Sequence, residues 1–178
     1  RYAPAFREQL EQAIALRVPV VSFTFGVLDA ADVERLKAAG SYVIGTATHV
    51  AEGLAWRDAG ADAVCAQGAE AGGHRGTFID AQTNPLIGTM ALVPQLVDAL
   101  EIPVIAAGGI MDGRGIAAAL ALGAQAAQLG TVFLACAESS AAADWKQRLA
   151  ASADTATSVT RAITGRYARG IRNRLMDR

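Results

Sequence analysis

Five short, mostly apolar runs recur along the chain: Val20–Phe25, Tyr42–Gly45, Ala63–Ala66, Val104–Ala107 and Ala126–Leu129. They are not the alternating apolar and polar stretches of a half-solvated sheet, which predicts parallel strands covered on both faces. Between them apolar residues return at helical spacing, as in Phe6, Leu10, Ala13 and Ile14, and again in Leu92, Val93, Leu96, Val97 and Leu100. The junctions repeat too. Ala39-Gly40-Ser41, Ala59-Gly60-Ala61 and Leu122-Gly123-Ala124 each place a glycine where a helix ends and a strand begins, the position of a left-handed helix stop. Arg17-Val18-Pro19 and Glu101-Ile102-Pro103 do the same with proline.

Strand starts fall near residues 20, 42, 63, 104 and 126. One interval is doubled, and it holds a long loop from Gly68 to Gly88. This is the rhythm of an α/β protein with repeated strand–helix units and a parallel sheet. An eight-stranded (β/α)8 TIM barrel takes about 250 residues, so five units make an incomplete portion of one. A doubly wound open sheet is the rival, and periodicity alone does not separate the two. The chain opens on Arg1 and enters a helical pattern at once, so it reads as a piece cut from inside a larger protein. Residues 1–140 form the partial barrel in this reading. Residues 141–178, with a helix over 141–151 and six arginines from Arg161 onward, form a helical, Arg-rich C-terminal segment, either a solvated helix face or a surface packed on parts of the protein beyond this chain.

Composition narrows the classes of function. Hydrophobic residues make up 52% and charged residues 19% of the 178 positions, which excludes a disordered chain. A net charge of −1 gives no electrostatic basis for a nucleic-acid partner. No apolar run approaches the ~18 residues of a membrane span. The two cysteines, Cys65 and Cys136, form no CxxC pair or disulfide framework, so a reducing cytoplasm is the expected setting. No spacing of His, Cys, Asp or Glu fits a metal site.

Candidate chemistry gathers where the strands end. The third run leads into Gln67-Gly68-Ala69-Glu70-Ala71-Gly72-Gly73-His74-Arg75-Gly76. Here glycine lets backbone approach a ligand closely, and histidine exchanges a proton near neutrality. Glu70, four residues earlier, either orients His74 or is an ordinary exposed carboxylate. The fourth run ends in Gly108-Gly109, followed by Asp112-Gly113-Arg114-Gly115, and the fifth in Gln128-Leu129-Gly130-Thr131. On neighbouring strands these turns would present free backbone N–H groups, and with the N-terminus of a following helix they form an anion cradle. His49 has no glycine context and reads as structural, and Cys65 as a small core residue.

Taken together, the stretches 67–76, 106–110, 112–115 and 128–131 resemble the nitronate monooxygenases, formerly called 2-nitropropane dioxygenases. Residues 160–174 are similar to the same family's segment after the barrel. The resemblance implies a TIM barrel binding FMN, of which this chain is an incomplete C-terminal portion lacking the first strands, with flavin contacts at Gln67, Gly72, Gly109, Gln128, Gly130 and Thr131, and with Gly108 and Leu129 beside them. It implies His74 as the catalytic histidine, and Thr46 and Thr48 facing the flavin ring. The implied reaction takes a small-molecule alkyl nitronate or nitroalkane and dioxygen to a carbonyl compound and nitrite. Flavin-dependent NAD(P)H reductases of the enoyl-acyl-carrier or quinone type share the stretch from Glu70 to His74 and are the nearest alternative. A non-catalytic barrel fragment and a flavin-free sugar-phosphate barrel are the others.

Overall fold

A computed structural model describes residues 5–176. Among the described residues there are seven helices and eight strands, in the order α1 (Phe6–Ala15), β1 (Val20–Phe23), α2 (Ala30–Ala38), β2 (Tyr42–Ala47), α3 (Val50–Asp58), β3 (Ala63–Gln67), β4 (Gly73–His74), α4 (Thr89–Ala99), β5 (Val104–Ala107), α5 (Gly113–Ala121), β6 (Ala126–Gln128), α6 (Thr131–Leu134), α7 (Ala143–Ala150), β7 (Thr157–Thr160) and β8 (Ala168–Ile171). The five predicted strands are all present and form one parallel sheet in the order β1-β2-β3-β5-β6. Each strand of this sheet neighbours the next one along the chain. A doubly wound sheet reverses direction at a switch point; this one never does, so it is wound in a single sense, as a barrel wall is.

The repeated junctions share one hydrogen-bond pattern. Gly40, Gly60 and Gly123 adopt φ of +94°, +92° and +95°. The next residue's N–H then returns to the helix: Ser41 to Leu36 O, Ala61 to Trp56 O and Ala124 to Ala119 O, at 3.0–3.1 Å. This Schellman closure satisfies carbonyls that the helix end would leave open. The α1 end is closed the same way, with Val18 donating to Ala13 O and Arg17 at φ +49° in the glycine's place. The second proline junction differs: Leu100 is already extended at the end of α4.

The core lies between the sheet and its helices, built from Val33 and Leu36 of α2, Val43 of β2, Trp56 of α3, Val64 of β3, and Leu92, Val93 and Leu96 of α4, all at most 1% exposed. Gly45 is required here, because a Cβ at that position would overlap the Trp56 indole. Strand alternation therefore sends Val43, Gly45 and Ala47 towards the helices. Their neighbours Ile44 and Thr46 take the opposite face. The parallel register carries that face across the sheet, pairing Thr46 with Cys65, Cys65 with Ile105, Gln67 with Ala107, and Ala107 with Gln128. Thr46, Cys65, Gln67 and Gln128 thus share the face turned away from the helices.

The C-terminal segment differs from the sequence expectation. It is helical over Ala143–Ala150, and then β7 and β8 form an antiparallel hairpin. β8 also pairs with β4, placing Gly73 opposite Arg169 and His74 opposite Ala168. Arg75 N–H extends the ladder to Tyr167 O at 2.8 Å. Thr157, Val159, Thr160 and Ile171 are β-branched and favour strands, but the hairpin's other neighbour, paired with β8, is a two-residue strand inside the 68–88 loop. The arginines follow the hairpin: Arg169 donates to Ala69 O at 2.9 Å, and Arg166 lies over the Phe25 ring, 4.8 Å from its centroid.

Candidate functional site

The loop after β3 is fastened to the strand ends by Gln67. Its amide nitrogen donates to His74 O at 3.0 Å, and its amide oxygen accepts from Gly76 N at 2.8 Å and from Arg75 at 3.2 Å. The loop so closed passes across the ends of three strands. A Cβ on Gly76 would lie 2.8 Å from Thr24 Oγ1 and 2.9 Å from Thr46 Cγ2, so only glycine fits. Arg75 points inward and is 3% exposed. It donates to Gly68 O at 2.6 Å and Gln67 O at 3.2 Å. Burial pulls its guanidinium below the ordinary arginine value, and the Glu52 carboxylate acts in the opposite direction. A buried cation bound mainly to carbonyls is a device for fixing a loop, and sequence reading passed over it.

Glu52 is the second buried anchor, with no exposed surface. Its carboxylate accepts from Thr48 N at 2.7 Å, Thr48 Oγ1 at 2.8 Å, Ile79 N at 3.0 Å and the Phe78 N–H. His49 Nε2 lies 3.6 Å away. This corrects the expectation for Thr48: it is fully buried and bonded to Glu52 and Thr77, not directed at a ligand. β2 ends at Ala47, so the alternation that exposes Thr46 on the open face stops before Thr48. His49 precedes α3 and approaches Ile79 O at 3.4 Å, the structural role expected of it. The Cys65 thiol is buried and pushed up to about 11, as a core residue should be. It points towards Gln128, 3.7 Å from that side chain's amide oxygen.

Glu70 does not orient His74. Its carboxylate accepts from Thr89 N at 2.9 Å and Thr89 Oγ1 at 2.8 Å, capping the start of α4. Thr89 Oγ1 also lies 2.9 Å from Gly108 O, so Glu70, Thr89 and Gly108 weld the β3 and β5 loops together. Gly68 and Gly108 are enclosed in that weld, with a Gly68 Cβ placed 2.7 Å from Thr89 Cα and a Gly108 Cβ 3.0 Å from Ala71 N. Gly109 follows at φ +71°. On the next loop a Gly72 Cβ would sit 3.0 Å from Thr131 Oγ1, bringing the β3 and β6 loops into contact.

Anion-binding capacity lies at two of these ends. Among the described residues no acceptor takes the N–H of Gly109 or Gly130, and α6 starts at Gly130 with no side-chain cap. A Cβ on Gly130 would meet nothing within 4 Å, so there is open space beside this residue. The start of α5 differs from the expected cradle, because Asp112 takes the Arg114 and Gly115 N–H groups at 2.9 and 3.4 Å and pairs with Arg114 itself. Arg114, first among these partners, holds the Asp112 carboxyl below the usual carboxylate range. The Leu129 side chain packs against the core, which leaves only its backbone for a ligand.

His74 stands at the outer rim, exposed on β4. Its Nε2 is 2.7 Å from Thr164 Oγ1, and its ring meets Phe25 edge to face, with centroids 5.8 Å apart. Phe25 is held at φ +70°, rare for a bulky residue and a mark of strain at a site. Phe25 and Thr164 each precede a single glycine, Gly26 and Gly165, which reads as an ordinary turn, so neither stood out in the sequence.

The chain as a whole is similar to known proteins. A probable nitronate monooxygenase of Staphylococcus saprophyticus is 50% identical over 175 residues, covering 97% of this chain and 49% of its own length. The structure of a nitroalkane oxidase from Streptomyces ansochromogenes superposes with a TM-score of 0.91 at 48% identity, over 97% of this chain and 50% of that one. FabK from Thermotoga maritima follows at a TM-score of 0.84 and 36% identity, over 99% and 53% of the two chains. The chain thus spans about half the length of the relatives it matches, and its single-sense sheet is a five-stranded portion of a TIM barrel. The family model for nitronate monooxygenase matches residues 1–178, and the chain belongs to that oxidoreductase family.

Proposed function

We propose that this chain carries the phosphate-binding and proton-handling half of an FMN-dependent enzyme that oxidises alkyl nitronates with dioxygen to a carbonyl compound and nitrite. The observation that carries the proposal is a pair of unengaged N–H donors, at Gly109 and Gly130 just past the ends of adjacent strands, with an exposed histidine on the loop after β3. The donor set suits a phosphate-bearing flavin: neutral backbone dipoles on rigid strand ends bind a phosphate without any lysine. Gly109 and Gly130, with Gly108, Gly72 and Thr131 beside them, would hold the phosphate side. Gln128, on the open face, and Gln67, which keeps one amide N–H beyond its bond to His74 O, would meet the ring side. FMN, when bound, takes electrons from the substrate and delivers them to dioxygen.

His74 handles the proton. A nitronate is already an anion and needs no base. A neutral nitroalkane must first lose its α-proton, and an imidazole is suited to take it near neutral pH. With a nitronate the same ring hydrogen-bonds the nitro oxygens. His74→Asn is expected to cut turnover of neutral nitroalkanes by ~100-fold or more and that of preformed nitronates far less. Equal losses on both would rule out the base role.

The FabK likeness favours one second reading, a flavin-dependent NAD(P)H reductase. Anaerobic mixing of the FMN-loaded full-length protein with NADH, and separately with a nitronate, decides between them. Loss of visible flavin absorbance with the nitronate alone, and nitrite release on admitting air, supports the oxygenase. Rapid loss with NADH supports the reductase. A cytoplasmic setting belongs to the same proposal; among the described residues no helix is long and apolar enough to cross a membrane.

A further inference from the structure

The turn joining β7 to β8 reaches His74 from outside the barrel. Arg161 Nε donates to Gly165 O at 2.9 Å and Gly165 N–H to Arg161 O at 2.9 Å, and Gly165 takes φ +79°. This closed turn fixes the backbone on either side of Thr164. The Thr164 hydroxyl lies 2.7 Å from His74 Nε2, while Phe25 braces the ring edge to face and Arg166 covers Phe25. His74 Nδ1 has no hydrogen-bond partner among the described residues.

We propose that Thr164 is a positioning residue that accepts a hydrogen bond from His74 Nε2–H and so leaves Nδ1 as the basic atom facing substrate. This rests on the reading of His74 as the proton acceptor. In a neutral imidazole one nitrogen carries the proton and the other the lone pair, and the hydrogen bond made by one sets the role of the other. If Thr164 donated instead, the Nε2 lone pair would be consumed and Nδ1 would carry the proton, leaving no base. The accepting arrangement alone keeps the ring both held and reactive. A hydroxyl is also neutral, unlike the carboxylates that commonly orient catalytic histidines. The charged groups on the packed elements turn elsewhere: Arg75 to Gln67 and Gly68, Arg169 to Ala69 and Thr157, Glu70 to Thr89, and Arg166 to Phe25.

The test uses the FMN-loaded full-length protein with 15N-labelled histidine. Its imidazole nitrogen shifts are assigned by comparison with His74→Asn, which also separates them from His49. The wild type is expected to show the Nε2–H tautomer at His74. Thr164→Val is expected to mix the tautomers and lower kcat for a neutral nitroalkane by ~10–100-fold, with KM and preformed-nitronate turnover nearly unchanged. Thr164→Ser is expected to restore both the spectrum and the rate. An Nδ1–H tautomer in the wild type, or a Thr164→Val spectrum identical to the wild type, overturns the proposal. If the spectra behave as stated while His74→Asn and Thr164→Val leave nitroalkane turnover intact, the positioning stands and the base role of His74 fails.

Discussion

Glu52→Gln removes one charge and nearly no volume from the anchor beneath the site. Each carboxylate oxygen serves two donors, Phe78 and Ile79 N–H at one, Thr48 N–H and O–H at the other. An amide must turn its NH2 towards one of these pairs. The Thr48 side is less costly, because Thr48 Oγ1 also lies 2.9 Å from Thr77 Oγ1 and its hydroxyl is free to donate there instead. That choice still strands the Thr48 N–H at a fully buried residue, at about 1–3 kcal/mol. It also turns two charge-assisted bonds into neutral ones, at roughly 0.5–1 kcal/mol each, and leaves buried Arg75 without its attraction to Glu52. The expected loss is ~2–5 kcal/mol, a Tm drop of about 5–20 °C for a domain of this size. Urea and thermal unfolding followed by circular dichroism measure it. Limited proteolysis should show new cleavage between residues 77 and 88, where Phe78 and Ile79 are left with neutral bonds in place of charge-assisted ones. A Tm within 2 °C of the wild type would refute the view that Glu52 holds the loop.

Gly45→Ala drives a methyl group into the Trp56 indole and should destabilise the chain by roughly 1–3 kcal/mol, read by urea unfolding; an unchanged midpoint would contradict the packing. Gly109→Ala forces a side chain into φ +71° with its Cβ 3.2 Å from Glu70 Cβ, and should weaken FMN binding about 10-fold in a fluorescence titration, whereas Gly130→Ala, facing open space, should weaken it by less than half as many kcal/mol, a strain difference of ~1 kcal/mol. The Cys65 thiol is raised from 9.0 to about 11 by burial, so between those values the folded chain keeps a proton that the unfolded chain has lost. Stability should therefore fall as pH rises from about 9 to 11, by roughly 2–3 kcal/mol, and Cys65→Ala should flatten that slope; a wild-type curve equally flat would show that the thiol is not buried in solution.

The parallel wall was legible because its signals are local. Each strand is a short apolar run, and each helix stop is a glycine whose φ near +93° few other residues adopt. Arg17 shows the limit of that rule, since it takes the left-handed position without being glycine. The single sense of winding was not legible, as it depends on which strands pair rather than on their period. The strand-end glycines were visible for the same local reason, yet the sequence could not separate donors left free, at Gly109 and Gly130, from those consumed, at Arg114 and Gly115. Glu70 misled through spacing. Four residues is one helical turn, but this stretch is a loop, and its carboxylate goes instead to Thr89, 19 positions on.

What remained hidden is the part of the site made by distant segments. β4 has two residues, too few for any pattern, and it exists because β8, whose Arg169 and Ala168 lie 96 and 94 positions after their partners Gly73 and His74, supplies a ladder. A histidine on a free loop of three glycines would sample many orientations, and a base that must lie within hydrogen-bond reach of one carbon-bound proton works poorly from such an ensemble. Pairing Gly73 and His74 with Arg169 and Ala168 removes most of that freedom, and the Gln67 bond to His74 O removes more. The glycines then let the backbone pass close to Thr24, Thr46 and Thr131, while the C-terminal hairpin restores the rigidity that glycine gives up. Residues 157–171 are in this sense part of the site and not a tail, and their deletion should leave the five-stranded wall folded while freeing His74.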